Sequence, residues 1–240
     1  MIEIKNISKT YNGKVKAVNH LNMTVEDGEI IGFIGPNGAG KTTTLKMMTG
    51  ILNPDEGEIL LNGINIQHDP IEAKRQFGFV PDNPDIFLRL KGIEYLNFMA
   101  DIYDVSDDLR RERIAHYADV FQMTSALNDT ILSYSHGMRQ KIVMMGVLVH
   151  SPNIWILDEP LTGLDPQSAY ALKEMMREHV GSNKTVFFST HVLEVAEKLC
   201  SKVAIINKGE LFYFGTLDAL KAQYPGLSLE DIFLKVTHHE

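Results

Sequence analysis

The sequence predicts an α/β fold: a parallel sheet accompanied by an antiparallel β subdomain and an inserted α-helical subdomain. In the second half of the chain, apolar strands alternate with helices, as expected of βαβ units in a parallel sheet. Near the N-terminus, alternating strand patterns and a hairpin signal indicate antiparallel pairing. Between residues 82 and 140, strand signals are replaced by helical spacing. We expect one domain with two lobes.

The first elements are short strands. Ile2, Ile4 and Ile7 bracket polar residues, and residues 15–25 continue the alternation. Residues 58–66 contain Asn-Gly between two apolar runs, a sequence typical of a two-residue hairpin turn. These segments predict the antiparallel sheet.

A glycine-rich motif follows the next strand, residues 29–34, and precedes a helix. Residues 35–42, GPNGAGKT, fit the pattern GxxxxGK[ST]. Its glycines allow backbone N–H groups to surround a phosphate, and the helix N-terminus adds partial positive charge. Lys41 would reach the β- and γ-phosphates, and the Thr42 hydroxyl would bind Mg²⁺. The motif predicts a P-loop NTPase core that binds a nucleoside triphosphate through Gly35, Pro36, Asn37, Gly38, Ala39, Gly40, Lys41, Thr42 and Thr43.

Two carboxylates end a later apolar strand, residues 154–157. Ligands of open parallel sheets bind beyond the carboxyl ends of the strands, so Asp158 and Glu159 should lie beside the phosphate loop. Neighbouring strand residues point to opposite faces, and we expect one carboxylate to support Mg²⁺ while the other orients the attacking water. His191 follows the strand 185–190 and could hydrogen-bond the γ-phosphate or that water.

The composition of the chain bears on the partners that the protein can bind and on its cellular compartment. The net charge of −8 argues against a nucleic-acid-binding surface. The single cysteine, Cys200, excludes an internal disulfide and indicates a reducing compartment. No apolar run approaches the length of a transmembrane helix, and no signal peptide is recognised. We expect a soluble, cytosolic protein that meets a membrane only through a partner.

Taken together, these motifs resemble those of the ATPase subunits of ATP-binding cassette (ABC) transporters, over nearly the whole chain. Walker A matches residues 35–42, Walker B residues 154–158, and the D-loop residues 163–165. The resemblance makes Glu159, His191 and Lys41 catalytic and gives nucleotide contacts to Tyr11, Ser135, Gly137 and Asp165. The signature motif matches residues 134–138, although His136 replaces the commonest glycine. Asp82 stands where the family usually has the Q-loop glutamine, and it joins Thr42 and Asp158 as a metal ligand.

The resemblance also implies how the subunit works. ATP and Mg²⁺ would be sandwiched in a head-to-tail dimer of this chain with itself or a paralogous ATPase, driving a separate transmembrane permease from the cytoplasmic face. Residues 1–81 and 141–240 would form the RecA-like core with the antiparallel β subdomain, and residues 82–140 the helical subdomain. Five large apolar residues near the Q-loop form a cluster, part of which would be core and part of which would line a groove for the permease: Phe87, Leu88, Tyr95, Phe98 and Met99. Asp82 and residues 228–234 resemble the drug and peptide exporter branch.

Other functions remain open at this stage. A soluble ABC ATPase that moves no solute, such as a scaffold or assembly ATPase, can also be one short cassette. A version acting on nucleic acid or ribosomes usually joins two cassettes or inserts long coiled coils, and this chain does neither. Glu159 and His191 argue against a nucleotide-binding regulator without turnover.

Overall fold

Two β-sheets form the framework of the protein, seen in a computed structural model that describes residues 1–238. In chain order the strands are β1 (Ile2–Tyr11), β2 (Val15–Val25), β3 (Ile30–Ile34), β4 (Glu56–Leu61), β5 (Ile64–Asn65), β6 (Phe77–Val80), β7 (Ile154–Asp158), β8 (Thr185–Thr190), β9 (Lys202–Asn207) and β10 (Glu210–Thr216). The helices are α1 (Lys41–Met48), α2 (Pro70–Arg75), α3 (Gly92–Ile102), α4 (Asp107–Val120), α5 (His136–Val149), α6 (Pro166–Gly181), α7 (Leu193–Leu199), α8 (Leu217–Gln223) and α9 (Leu229–His238).

The larger sheet has the strand order β10-β9-β3-β8-β7-β6. All neighbouring pairs from β9 to β6 are parallel, and β10 pairs antiparallel with β9. The βαβ alternation predicted parallel strands, and the fold class is confirmed. Because these strands are parallel, the carboxyl ends of β3, β7 and β8 lie together on one side of the sheet.

The smaller sheet is antiparallel, in the order β2-β1-β4-β5. Its predicted two-residue turn joins β4 to β5. Asn62 and Gly63 have φ angles of 50° and 78°. Both central residues of a type I′ hairpin turn need positive φ, which explains the Asn-Gly sequence.

Hydrophobic cores lie on both faces of the larger sheet. Along β7, Ile154 and Ile156 belong to the core shared with the antiparallel sheet, whereas Trp155 and Leu157 face the helices. This alternation follows from the two-residue period of a strand. The apolar run in β7 is therefore continuous because both faces are buried.

Helices α3, α4 and α5 occupy the sequence between β6 and β7. Helix α5 is mostly buried, because all of its residues from Gln140 to Val149 are shielded from solvent. A Cβ atom added at Gly146 would lie 2.6 Å from the Tyr95 hydroxyl, so the glycine permits close packing of α3 on α5. The exact boundaries of the helical subdomain at 82 and 140 stay a prediction. None of the helices in the described range is both long and apolar enough to span a bilayer.

Candidate active site

The loop between β3 and α1 has the backbone form that its glycines allow. Gly38 and Gly40 have φ angles of 80° and 109°, in a region that other residues rarely adopt. A Cβ atom on Gly40 would lie 2.4 Å from the Ala17 carbonyl oxygen. A Cβ atom on Gly35 would lie 2.5 Å from the Ile206 carbonyl oxygen. The loop therefore fits between neighbouring backbones only with glycine at these positions.

A cavity of about 220 Å³ opens beside this loop and the carboxyl ends of the strands. It brings together most of the predicted phosphate-loop residues and the carboxylates of Asp82, Asp158 and Glu159. Its lining consists of Ala17, Pro36, Asn37, Gly38, Gly40, Lys41, Thr42, Thr43, Asp82, Asp158 and Glu159. Gly35 and Ala39 belong to the same loop but are buried. The N–H of Ala39 donates to the Pro36 carbonyl at 3.1 Å, so Ala39 shapes the loop.

Lys41 folds back over its own loop. Its Nζ atom donates to the carbonyl oxygens of Gly35 at 2.7 Å and Pro36 at 3.3 Å. Burial lowers the pKa of Lys41, opposed by the negative charges of Glu159 and Asp158. The ammonium thus lies close to both carboxylates, at the first residue of α1, where the helix dipole also favours an anion.

Asp158 is the last residue of β7 and is only 2% exposed. Its Oδ1 atom accepts a hydrogen bond from the Ser189 hydroxyl at 2.5 Å. Burial raises the pKa of Asp158, and the hydrogen bonds from Ser189 and Thr42 oppose this change. The like charges of Asp82 and Glu159 raise the pKa further. A cation bound here would relieve that repulsion.

Glu159 lies just beyond β7 with φ of 49°, the left-handed conformation. From strand alternation, the sequence analysis expected Asp158 and Glu159 to point to opposite faces of the sheet. That alternation does not apply here, because the backbone leaves the extended conformation at Glu159. Its N–H donates to the Ser189 hydroxyl at 3.0 Å. Its Oε2 atom lies 3.0 Å from Nδ1 of His191, which follows β8.

The predicted metal ligands fit the way in which Mg²⁺ is usually held. Mg²⁺ takes one or two protein oxygen ligands and completes its shell with water and substrate phosphates. Asp158 interacts with the Thr42 side chain, and both line the cavity with Asp82. No cluster of three or more His, Cys, Asp or Glu residues with metal-binding geometry occurs among residues 1–238.

The signature residues lie at the N-terminus of α5, outside this cavity. The Ser135 hydroxyl accepts from the Met138 N–H at 3.3 Å, so Ser135 is the N-cap. His136 and Gly137 are the first two residues of this helix. A Cβ atom on Gly137 would lie 2.6 Å from the Gly163 carbonyl oxygen, and one on Gly163 would lie 2.7 Å from the His136 ring. The signature therefore packs on the loop before α6.

Asp165 and Tyr11 also lie outside the cavity. Asp165 caps α6, accepting from the Ser168 N–H at 2.9 Å, and lies 2.7 Å from Lys141 Nζ. The Lys141 ammonium and the hydrogen bonds from Ser168 hold the pKa of Asp165 well below its usual range. Tyr11 ends β1 and is 39% exposed. Within residues 1–238, neither Asp165 nor Tyr11 forms a hydrogen bond with the phosphate loop.

Two structurally important side chains were missed by the sequence analysis. Ser189 bridges Asp158 and Glu159, and the signal for it is a hydroxyl on the strand beside β7, where Asp158 pairs in register with Ser189. Lys141 connects α5 to α6 through Asp165. A lysine within the apolar run of α5 was the available signal, since a buried lysine needs a partner.

The family model described as "ABC transporter" matches residues 18–162. This range includes the phosphate loop, Ser135, Asp158 and Glu159, and it is more than half of the chain. The chain belongs to the ABC transporter family.

Curated relatives agree with this assignment. The ABC transporter ATP-binding protein NatA of Bacillus subtilis is 33% identical over 98% of this chain and 97% of its own length. The Nod factor export ATP-binding protein I of Burkholderia orbicola is 34% identical over 97% of this chain and 76% of its own. An uncharacterised ABC transporter ATP-binding protein of Nostoc is 36% identical over 87% of this chain, and the match spans 62% of the longer relative.

Solved structures extend the likeness to the whole fold. An ATP-binding subunit of an ABC transporter superposes with a TM-score of 0.94 at 31% identity, covering 98% of this chain and 99% of the other. The cassette MJ0796, solved as a dimer in a post-hydrolysis state with ADP and Pi, gives 0.81 at 25% identity, covering 90% and 99%. The ABC chain described here is an ATP-binding and ATP-hydrolysing subunit, and the soluble non-transport alternative is not favoured.

Proposed function

We propose that this ABC subunit hydrolyses ATP at sites shared between two protomers and so drives a transmembrane permease from the cytoplasmic face. The observation that carries the proposal is the composition of the cavity. The phosphate loop, Asp158 and Glu159 line it, whereas Ser135 and Gly137 of the same chain lie outside it. A hydroxyl and free N–H groups at the start of α5 suit a phosphate. The mate's Ser135 would complete each site.

Each residue of the phosphate side has a role that follows from its position. Lys41, released from the Gly35 and Pro36 carbonyls, would bind the β- and γ-phosphates. Thr42 and Asp158, with Asp82 nearby, would hold Mg²⁺, which neutralises charge on the phosphates when bound. Tyr11 would stack on the adenine, and the loop N–H groups would bind the phosphate oxygens.

Glu159 and His191 form the part of the site that acts on water. The Glu159 carboxylate lines the cavity, and its Oε2 atom accepts a hydrogen bond from His191 Nδ1. Its backbone is fixed by the Ser189 hydroxyl, so the carboxylate is held in place before substrate arrives. We assign Glu159 to orienting and deprotonating the attacking water and His191 to positioning Glu159 and the γ-phosphate.

An apolar surface on the helical region would bind the permease. The exposed rings of Phe87 and Phe98 lie 5.4 Å apart, and Phe87 also packs on the buried Tyr95. Leu88 and Met99 are partly buried in the core, which leaves Phe87 and Phe98 for a partner. Export is the direction proposed, because the relative from Burkholderia is named for export. The second cassette is a copy of this chain or a paralogous ATPase.

Purification of the affinity-tagged full chain from membranes of its native cell tests this function. An integral membrane protein should copurify in a fixed ratio of two cassettes per transport unit, and reconstitution with it should stimulate ATP hydrolysis. Recovery of active ATPase free of any integral membrane protein would instead support a soluble assembly role. Stimulated hydrolysis with uptake into inside-out vesicles would establish export.

A further inference from the structure

Arg139 lies near the N-terminus of α5, four residues after the N-cap Ser135. Its backbone N–H donates to the Ser135 carbonyl at 2.9 Å, so the two residues belong to one turn of the helix. A positive side chain so close to the N-terminus of a helix is disfavoured by the helix dipole. The contacts of the Arg139 side chain must therefore offset this cost.

The Arg139 guanidinium contacts two separate stretches of the chain. Its Nη1 atom donates to Asp85 Oδ1 at 2.7 Å, within the 82–90 segment that connects β6 to α3. Its Nε and Nη2 atoms donate to the carbonyl oxygens of Ile131 at 3.3 Å and Leu132 at 2.8 Å. The side chain is only 21% exposed, so these contacts are screened less than those on an open surface. A planar guanidinium can hold both stretches at once.

The turn that accepts from Arg139 is bonded on its other side as well. The N–H of Ile131 donates to the Leu90 carbonyl, and the N–H of Leu132 donates to the Leu88 carbonyl, both at 2.9 Å. Each of these two peptide groups therefore joins the 82–90 segment through its N–H. The carbonyl oxygens of the same two residues bind the guanidinium. The signature helix is thus connected to that segment both directly and through the turn.

The 82–90 segment carries two positions that matter to the function. Asp82 lines the nucleotide cavity, and the exposed Phe87 belongs to the surface proposed for the permease. Asp85 lies between them, and its N–H donates to the Asn83 side chain at 2.9 Å, which makes this stretch a compact turn. Anchoring Asp85 on α5 therefore restrains both positions relative to the signature.

We propose that Arg139 is a positioning residue that fixes Ser135 relative to the 82–90 segment of its own chain. The signature that one protomer presents to its mate then moves together with that protomer's own Asp82 and Phe87. This inference rests on the proposed function, because it requires Ser135 to complete the mate's site. All three guanidinium nitrogens have acceptors within the chain, so Arg139 acts through these contacts and not on phosphate itself.

Amide hydrogen exchange of the single chain without ATP tests the contact itself. Arg139→Gln should make the N–H groups of Ile131 and Leu132 exchange at least about tenfold faster, because charge-assisted bonds to the same peptide groups are lost. The control Arg111→Gln removes an exposed arginine of α4, which pairs with Asp108, and should leave this exchange unchanged. Unchanged exchange in Arg139→Gln would overturn the proposal.

Association driven by ATP tests the positioning role. In a Glu159→Gln background, Arg139→Gln should weaken dimerisation at least about tenfold, while the single chain binds ATP with unchanged affinity because its phosphate loop is intact. Arg139→Lys keeps the charge without the fork and should recover only part of the association. Unchanged dimer affinity in Arg139→Gln, or an equal loss of ATP affinity and dimer affinity, would overturn the proposal.

Asp85→Ala tests whether Arg139 acts through the 82–90 segment, and it replaces Arg139→Gln if that variant fails to fold. It should weaken association by itself and add no further loss to Arg139→Gln. Independent, multiplying losses would contradict the proposal, and Asp108→Ala is the matched control. If Glu159→Gln itself stays a single chain with ATP, the shared site fails. Hydrogen exchange then decides separately whether Arg139 holds the turn.

Discussion

Nδ1 of His191 lies 3.0 Å from Oε2 of Glu159, across the ends of two adjacent parallel strands. Glu159 is largely shielded, with its side chain 15% exposed, whereas His191 is open to solvent. The contact with His191 therefore restricts the position of the Glu159 carboxylate.

Glu159→Gln should bind ATP with unchanged affinity but hydrolyse it at least about a hundredfold more slowly, because an amide cannot take a proton from water. Phosphate release and nucleotide binding measure the two effects separately. Glu112→Gln, an exposed carboxylate on α4, is the control and should leave both unchanged. Hydrolysis at the wild-type rate would remove Glu159 from the role assigned here.

His191→Ala should lower kcat about tenfold to a hundredfold with little change in ATP affinity. The alanine removes a hydrogen bond to a charged group, worth about 1.5–3 kcal/mol. His191→Gln, which retains a donor, should recover part of the rate. Equal rates for the alanine variant and the wild type would show that the contact with Glu159 is not used in turnover.

Gly40→Ala should weaken ATP binding about tenfold. The backbone has φ of 109°, and the added Cβ would lie 2.4 Å from the Ala17 carbonyl oxygen. Strain of about 1–3 kcal/mol in this conformation would shift the phosphate loop. Gly181→Ala at the end of α6 meets no atom within 4 Å and has no positive φ, so it should bind ATP normally. Equal ATP affinities for the two variants would contradict the loop geometry.

Two buried imidazoles should make the fold sensitive to mild acid. Burial lowers the pKa of His179 from 6.5 to about 4, and burial with the charge of Arg113 does the same for His150. The unfolded chain takes up these protons below pH 6.5, whereas the folded chain does so only near pH 4. Stability is therefore retained above this window and lost as the pH falls through it. Urea unfolding at several pH values should show a shallower loss for His179→Phe, and parallel curves would contradict the prediction.

Phe87→Asp should abolish copurification with the permease while ATP affinity stays unchanged. Phe87 is 46% exposed, so the charge costs the free subunit little but cannot be buried in an apolar interface. Phe212→Asp, an exposed phenylalanine on β10, is the matched control and should retain the partner. Retention of the permease by Phe87→Asp would place the docking surface elsewhere. Loss of both permease binding and ATP binding would indicate that the variant is misfolded.

Much of the fold follows from local patterns in the chain. The alternation around Ile2 and Ile4, the Asn62-Gly63 turn and the apolar strand before Gly35 each carry their own structural signal. The phosphate loop is equally local, because its glycines, Lys41 and Thr42 are contiguous. These features could be predicted without knowing what lies beside them.

The contacts within the site depend on distant segments and could not be predicted in this way. Ser189 bridges Asp158 and Glu159 only because β8 lies beside β7 in a particular register. Likewise, Asp165 is held by Lys141 from another helix. Sequence gives the residue types, but the strand order and side-chain conformations decide which of them meet.

The mass of Glu159→Gln in solution with saturating ATP and Mg²⁺ tests the central claim most directly. Sedimentation should give twice the 27.0 kDa of the single chain with ATP, and the single-chain mass with ADP. Adding Ser135→Arg should restore the single-chain mass, because the mate could no longer contact the γ-phosphate. If Glu159→Gln stays at 27.0 kDa with ATP and Mg²⁺, even beside its permease, no phosphate is shared between Lys41 of one protomer and Ser135 of the other.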